Sequence, residues 1–469
     1  MPSNNPRAAG ATTGLSLPQG VALCVGAVLG TGVISMPALA AEVAGPASLV
    51  AWLALIVLSA PLAWTFAALG ARHPDGGGVS TYVRLAFGPR LGAAVGWCFF
   101  FAVPLGAPAA AAFAGGYVAD VIGGGRTTVL LTFLAIVGAV FAMNWFGLRV
   151  TGRVQLVLTG VLAVLLVVTV VAALPHARWD NLTPFAPFGW SGVGSAAAVL
   201  VWGFAGWEAV SSLAGSYRHP RRDVPRATAI AVVVVGGLYL AVAVTSVLVL
   251  GPALGSSSAP LADLLASGFG GPVRVITAVV AVLLTIGAVN AYLAGASQLG
   301  AALARDGALP VRLAGTPRRS LLVVFLSSLV YAVLPIDLHT ALLLVTGCFT
   351  LVYVIGTAAA LRLLPRGRLR IVAATGLVSV LGLLWLNGPP ALLSLVIVAA
   401  SLAYQTWRSR RPAQTWRSRR PAQTWRSRRS AQTWRSRRSA KSARPSSISA
   451  GSVAPNPNTK PACLVGESE

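Results

Sequence analysis

The chain has 469 residues, 56% of them apolar and only 10% charged, whereas a soluble domain carries about 25% charged residues. No soluble fold of this size buries that much apolar surface, so lipid must be part of the solvent. The net charge of +25 does not mark a nucleic-acid protein, because fifteen of the 36 Lys and Arg follow residue 405 and most others sit in short loops between apolar runs. That distribution encodes membrane topology; a nucleic-acid domain shows a basic stripe on a soluble fold.

Residues 1–16 are polar, with one Arg and no small-residue cleavage signal. The first apolar run is therefore expected to be retained as a span behind a short cytoplasmic N-terminus. Apolar runs long enough to cross a bilayer, at about 20 residues per helix, fall at 17–38, 46–71, 90–118, 128–147, 153–174, 193–216, 227–250, 272–303, 320–336, 340–363, 369–387 and 389–405. The pattern predicts an all-α integral membrane protein with twelve spans. With an inside N-terminus, the inner segments before the tail carry eighteen Lys and Arg, and the outer loops only Arg126, Arg178 and Arg274. This asymmetry places both termini in the cytoplasm and requires an even number of spans.

After the last run, QTWRSRR occurs four times, beginning at Gln405, Gln414, Gln423 and Gln432. Residues 406–469 are read as a disordered basic tail, since the segment has no core to bury. A second reading rests the Arg and Trp side chains on anionic lipid headgroups. The Gly76–Gly78 and Tyr82 stretch between spans two and three is read as a cytoplasmic loop. Four cysteines in or after apolar runs give no disulfide framework, and four histidines far apart in sequence give no metal site. No cofactor is implied, and the clustered His, Asp or Glu that a membrane-embedded enzyme needs are absent from the spans, so no enzymatic activity is expected.

Two acids fall within or beside spans, Glu42 and Glu208, and intramembrane charge demands a reason. Glu208 follows a glycine-rich stretch, VWGFAGWE (201–208), in span six; span one carries GAVLGTGV (26–33). Each glycine weakens a helix interior by roughly 1 kcal/mol against Ala. Either stretch alone is compatible with close helix packing through small residues. As a pair they occupy corresponding places if spans one to five (17–174) and six to ten (193–363) are two five-helix halves, with 369–405 appended. That is the pattern of inverted-repeat transporters with discontinuous helices. A break frees N–H groups at one half-helix end and carbonyls at the other, which together suit a zwitterionic amino acid.

GAVLGTGVISMPALA (26–40), VWGFAGWEAVSSLAGSYRHPRRDVPRA (201–227) and NAYLAGASQLGAALARDGALP (290–310) resemble the first, sixth and eighth spans of the amino acid–polyamine–organocation superfamily. GARHPDGGGVSTYVRLAFGPRLGAAVGW (70–97) and VPLGAPAAA (103–111) are similar to the bacterial exporters of L-methionine and branched-chain amino acids. The resemblance covers about residues 15–407. It implies a twelve-helix, five-plus-five fold and export of neutral amino acids across the inner membrane, coupled to protons. The same fold also serves importers and exchangers. By resemblance, Gly30, Thr31 and Gly32 would offer N–H groups to the substrate carboxylate. Carbonyls around Trp202, Gly203 and Ala205 would take the ammonium, with Trp202 or Phe204 as an aromatic gate. Asn290 and Tyr292 would line the side-chain pocket, and Glu208 would brace the unwound segment or titrate.

Overall fold

The computed structural model describes residues 15–410, apart from 31, 75–77, 148–151, 209–210, 212–213 and 333–336. Among the described residues every element is helical, and the one β pairing is an isolated bridge between Leu15 and Tyr217. Lipid chains offer no hydrogen bonds, so a chain this apolar satisfies its backbone within helices.

Helix α1 runs Leu17–Leu29, started by Ser16, whose amide donates to Gln19 Oε1 (3.0 Å), and α2 runs Gly32–Ala44. Next come α3 (Ser48–Arg72), α4 (Gly78–Phe87), α5 (Pro89–Ile122), α6 (Gly125–Trp145) and α7 (Gly152–Ala173). In the second half, α8 is Ser191–Phe204, α9 Pro220–Leu250, α10 Pro260–Phe269, α11 Val273–Arg305, α12 Pro317–Val330 and α13 Leu338–Leu363. The last two are α14 (Arg368–Leu386) and α15 (Leu392–Arg410). Proline stands at the first position of α5, α9, α10 and α12, where its missing N–H would have had no intrahelical partner.

By length and composition, nine helical stretches among the described residues can cross a membrane. Leu17–Arg72 counts as one continuous stretch, which merges the expected spans one and two. Ser191–Phe204 and Pro317–Val330, at 14 residues each, fall short of the length that counts. They occupy the places of expected spans six and nine. The shortness of α8 has a cause in the sequence: the helix ends where the glycines begin.

Burial separates centre from rim. In α5 and α13, 78% and 72% of the most apolar window is buried, against 17% in α14 and α15 and 22% in α6. So α5 and α13 pass through the middle, while α6, α14 and α15 turn most of their apolar surface outward. Ile371, Val378 and Trp385 on α14 are examples, each more than 60% exposed. Helix α11 packs along α5 and α6, α9 along α3 and α1, and α2 along α8.

Two local expectations change. Gly78 opens the amphipathic helix α4 rather than continuing a loop, with Val79, Tyr82 and Val83 buried against α5 and α13 and Arg84 exposed. Helix α15 runs to Arg410, so residues 406–410, expected in the tail, are helical. The remaining repeats lie outside the described residues.

Candidate functional site

The first glycine stretch interrupts its helix. Gly30 takes φ +32°, a conformation that favours glycine, and α2 resumes at Gly32. The second does the same: α8 stops at Phe204, Ala205 is extended (φ −68°, ψ 138°) and Gly206 takes φ +131°. The two interruptions lie against one another. A Cβ on Gly32 would come within 2.9 Å of the Gly203 Cα, and one on Gly206 within 2.6 Å of the Ala27 carbonyl oxygen. Only glycine allows the backbones to approach this closely.

The carbonyl ends of both half-helices converge on one hydroxyl. Tyr239 Oη, from α9, lies 2.8 Å from the Val28 oxygen and 2.6 Å from the Gly203 oxygen. Its ring is held edge-on by Trp52 (5.2 Å) and Phe204 (5.2 Å). Across the second break, the Gly206 amide donates to Glu208 Oε2 (2.9 Å), and Tyr353 Oη of α13 donates to the same oxygen. Glu208 thus satisfies a backbone donor that the broken helix leaves over.

Beside the breaks, Trp202 and Tyr292 line a small cavity with Val103 and Gly106 of α5 and Val345 and Phe349 of α13. Its volume of about 10 Å³ is room for roughly one water molecule. Among the described residues no group of three or more His, Cys, Asp or Glu could hold a metal ion.

The two glycine breaks lie in contact, with Tyr239 and Glu208 taking up polar groups of the broken ends, and comparison with known proteins supplies the family. The family model described as amino acid permease matches residues 15–413. The chain belongs to the amino acid permease family. It is 32% identical over 358 residues to the uncharacterized amino acid permease YecA of Bacillus subtilis, covering 74% of this chain and 84% of that one. It is 32% identical over 402 residues to the L-methionine/branched-chain amino acid exporter YjeH of Escherichia coli, covering 82% and 94%. A third relative, the branched-chain amino acid permease BcaP of B. subtilis, is 27% identical over 240 residues, 47% of this chain and 51% of that one. This chain is a multi-pass membrane protein of a family that transports amino acids.

Not every residue singled out in the sequence of this permease meets at the breaks. Gly32, Gly203, Ala205 and Glu208 do, and Thr31 lies outside the described residues. The Gly30 amide is already engaged, donating to the Gly26 oxygen (3.3 Å), so it is not free for a carboxylate. The Trp202 carbonyl likewise accepts from the Ala205 amide (3.2 Å). Of the two aromatic gate candidates, Trp202 lines the cavity, with Phe113 at 6.5 Å, while Phe204 packs away from it on Trp52 (6.2 Å) and Tyr239.

Asn290 does not join Tyr292 at the cavity. Its Oδ1 accepts from Asn144 Nδ2 of α6 (2.7 Å). Two residues of helical separation is about 200° of rotation, so the pair cannot share a face. Sequence reading missed Tyr239, Tyr353 and Trp52. A signal existed for the tyrosines, because a phenol buried in an apolar span needs a partner, and unwound backbone supplies one.

Proposed function

We propose that this permease exports L-methionine and branched-chain amino acids by alternating access, driven by the proton motive force. The observation that carries this reading is the contact of the two broken helices at Gly32–Gly203 and Gly206–Ala27. The freed N–H groups at the start of α2, together with Thr31, take the substrate carboxylate. The Val28 and Gly203 carbonyls, at the ends of α1 and α8, take the ammonium. The cavity lining of Val103, Val345, Phe349 and Trp202 suits an apolar side chain. Its present size excludes an amino acid, so the arrangement is a closed state that must open to one side.

In this reading the nine long stretches resolve into twelve spans. Leu17–Arg72 is two spans joined by the short turn at Gly45–Ala47 on the outer face, and α8 and α12 are spans shortened by a break or a loop. Residues 17–174 and 193–363 are the two inverted five-helix repeats. The arginine-rich ends face the cytoplasm, as do both termini, and the membrane is the inner membrane. The arginines and tryptophans of the tail rest on anionic headgroups there. Glu208 braces the second break. The direction of transport is taken from the relative named an exporter, 94% of which this chain covers.

The test is efflux of radiolabelled methionine or leucine from preloaded cells, with and without a proton gradient. Faster efflux on expression, abolished by an uncoupler, supports the reading. Faster accumulation would instead make the protein an importer or exchanger on the same fold.

A further inference from the structure

Away from the breaks, the loop between α7 and α8 holds its aromatic rings in the open. Trp179 is 74% exposed, Phe188 58% and Trp190 68%, and Phe185 lies 6.3 Å from Trp190. From Asn181 to Trp190 the loop reads NLTPFAPFGW, ten residues without a charge, and none of the ten is buried. Single exposed apolar residues need no explanation, but a run of them marks a surface that something covers.

The rings are held there. The Arg178 amide (2.9 Å) and Asn181 Nδ2 (2.7 Å) both donate to the Leu248 oxygen near the end of α9. Leu182 packs inward against the cluster of Ala38, Ala41, Val247 and Leu254. Pro187 lies on the turn between α2 and α3, where a Cβ on Gly45 would fall 2.7 Å from its Cγ. As the loop enters α8, a Cβ on Gly192 would fall 2.6 Å from the Val43 oxygen. A backbone pinned at these points cannot tuck the rings inward without giving up its contacts.

The neighbouring surfaces identify the cover. On α7, Val161, Val164, Val168 and Val171 are exposed at spacings of three and four, one face of a helix long and apolar enough to cross a bilayer. Leu174 carries that face into the loop. At the far end, a Cβ on Gly194 of α8 would lie 3.2 Å from Leu386 Cδ2 of α14. Trp385, beside it, closes the outward stripe of Ile371 and Val378. A lipid-facing surface therefore runs into the loop from both sides. Where such a surface meets the headgroups, tryptophan is favoured, because its ring is apolar and its indole N–H stays hydrated.

We propose that residues 179–190 lie in the headgroup zone of the bilayer, with Trp179, Phe188 and Trp190 as the lipid contacts that anchor this end of the protein. The anchor does not depend on which solute the permease moves, or in which direction.

The experiment uses the purified full chain in liposomes of phosphatidylethanolamine and phosphatidylglycerol, with the four cysteines replaced by Ala. A nitroxide is attached at Phe185→Cys or Ser191→Cys, among and beside the rings. For comparison it is attached at Gly271→Cys, an exposed loop position with nothing within 4 Å of its Cβ. Oxygen, which concentrates in lipid, should relax the first two labels more than a water-soluble nickel chelate does, with the reverse at Gly271→Cys. Adding Trp179→Ser with Trp190→Ser should move the loop labels toward the comparison value. The chain with its own cysteines gives a second measurement. The tryptophan emission lost in Trp179→Phe with Trp190→Phe is the share that comes from the loop, and it should be quenched by lipid brominated near its headgroup and spared by iodide. Quenching by iodide with none by bromolipid overturns the proposal. Loop labels shielded from both oxygen and chelate show a protein partner in place of lipid, and overturn it too.

Discussion

Gly32 and Gly203 meet backbone to backbone, with 2.9 Å between the place of a Gly32 Cβ and the Gly203 Cα. Neither partner is a flexible side-chain end, so a methyl group at Gly32 pushes α2 and α8 apart. Gly32→Ala should cost about 1–3 kcal/mol, the range for overpacking, and Gly32→Val more, with transport lost in both. Gly30→Ala is the control. Nothing lies within 3.8 Å of its Cβ position, so only the positive φ opposes it, at about 1–2 kcal/mol. Thermal midpoints of the purified variants, with efflux rates, check the order. Equal effects at the two glycines would argue against close contact of the breaks.

Glu208 Oε2 accepts from both the Gly206 amide and the Tyr353 hydroxyl. Glu208→Gln keeps an oxygen acceptor in place, while Glu208→Ala leaves two buried donors without one, at about 1–3 kcal/mol for each. A bracing role therefore expects the Gln variant to fold and to transport with its dependence on pH intact, and the Ala variant to be unstable. A titrating role expects the Gln variant to fold equally well but lose the response to a proton gradient. Proteoliposome flux across a pH series separates the two.

The fold was legible where composition decides it. Runs of apolar residues at bilayer length and the arginine bias of the loops located helices at every expected span position, because lipid leaves the backbone no other choice. The breaks were legible only as a pair, because spans one and six answer one another. Glycine pairs alone do not break a helix, since Gly115 and Gly116, and Gly236 and Gly237, lie inside continuous helices. What the sequence hid is how the broken ends are satisfied. Tyr239 and Tyr353 reach the breaks from helices distant in the chain, and nothing local to Gly30 or Gly206 announces them. Asn290 lies against Asn144, while Tyr292, about 200° away around the same helix, lines the cavity.

At the other end of the molecule, Arg274 joins three elements. It bonds Asp120 of α5 (2.7 Å) and Asp263 of α10 (2.6 Å) from the first turn of α11. Arg274→Ala leaves two carboxylates that had shared one cation. With the guanidinium about one third exposed, the loss should be of order 1 kcal/mol after solvent screening. The midpoint difference between wild type and variant should shrink in 1 M salt, where the Debye length is about 3 Å; a difference insensitive to salt would assign the loss to packing.

Asp337 caps α13, accepting from the Thr340 hydroxyl (2.7 Å) and the Thr340 amide (3.0 Å). The hydroxyl bond first, and the amide bond next, lower its pKa below the ordinary 3.8. A depressed carboxylate stabilises the fold above its unfolded pKa, and the contribution fades as pH falls through the folded value. Asp337→Ala should therefore cost about 1 kcal/mol at pH 7 and progressively less below pH 4. Midpoints measured from pH 7 to pH 3 check this, and a gap that widened on acidification would reverse the sign.

Tyr239 offers the sharpest probe of where an ammonium would sit. Its hydroxyl has one proton to donate, yet two carbonyl oxygens, Val28 and Gly203, lie within 2.8 Å. The proton serves one of them at a time, so the pair is an acceptor-rich site with too few donors. If that pair takes the substrate's ammonium, the ammonium must displace this hydroxyl, and Tyr239→Phe removes the competitor. The variant without substrate should then lose about 1–3 kcal/mol, the desolvation cost of a buried acceptor left unpaired. Added methionine should restore it, giving a larger substrate-induced rise in thermal midpoint than in the wild type. Were Tyr239 itself a substrate ligand, the rise would shrink or vanish. Titrating methionine against wild type and Tyr239→Phe in one buffer decides between them, because the two roles move the substrate-dependent shift in opposite directions from a common loss of basal stability.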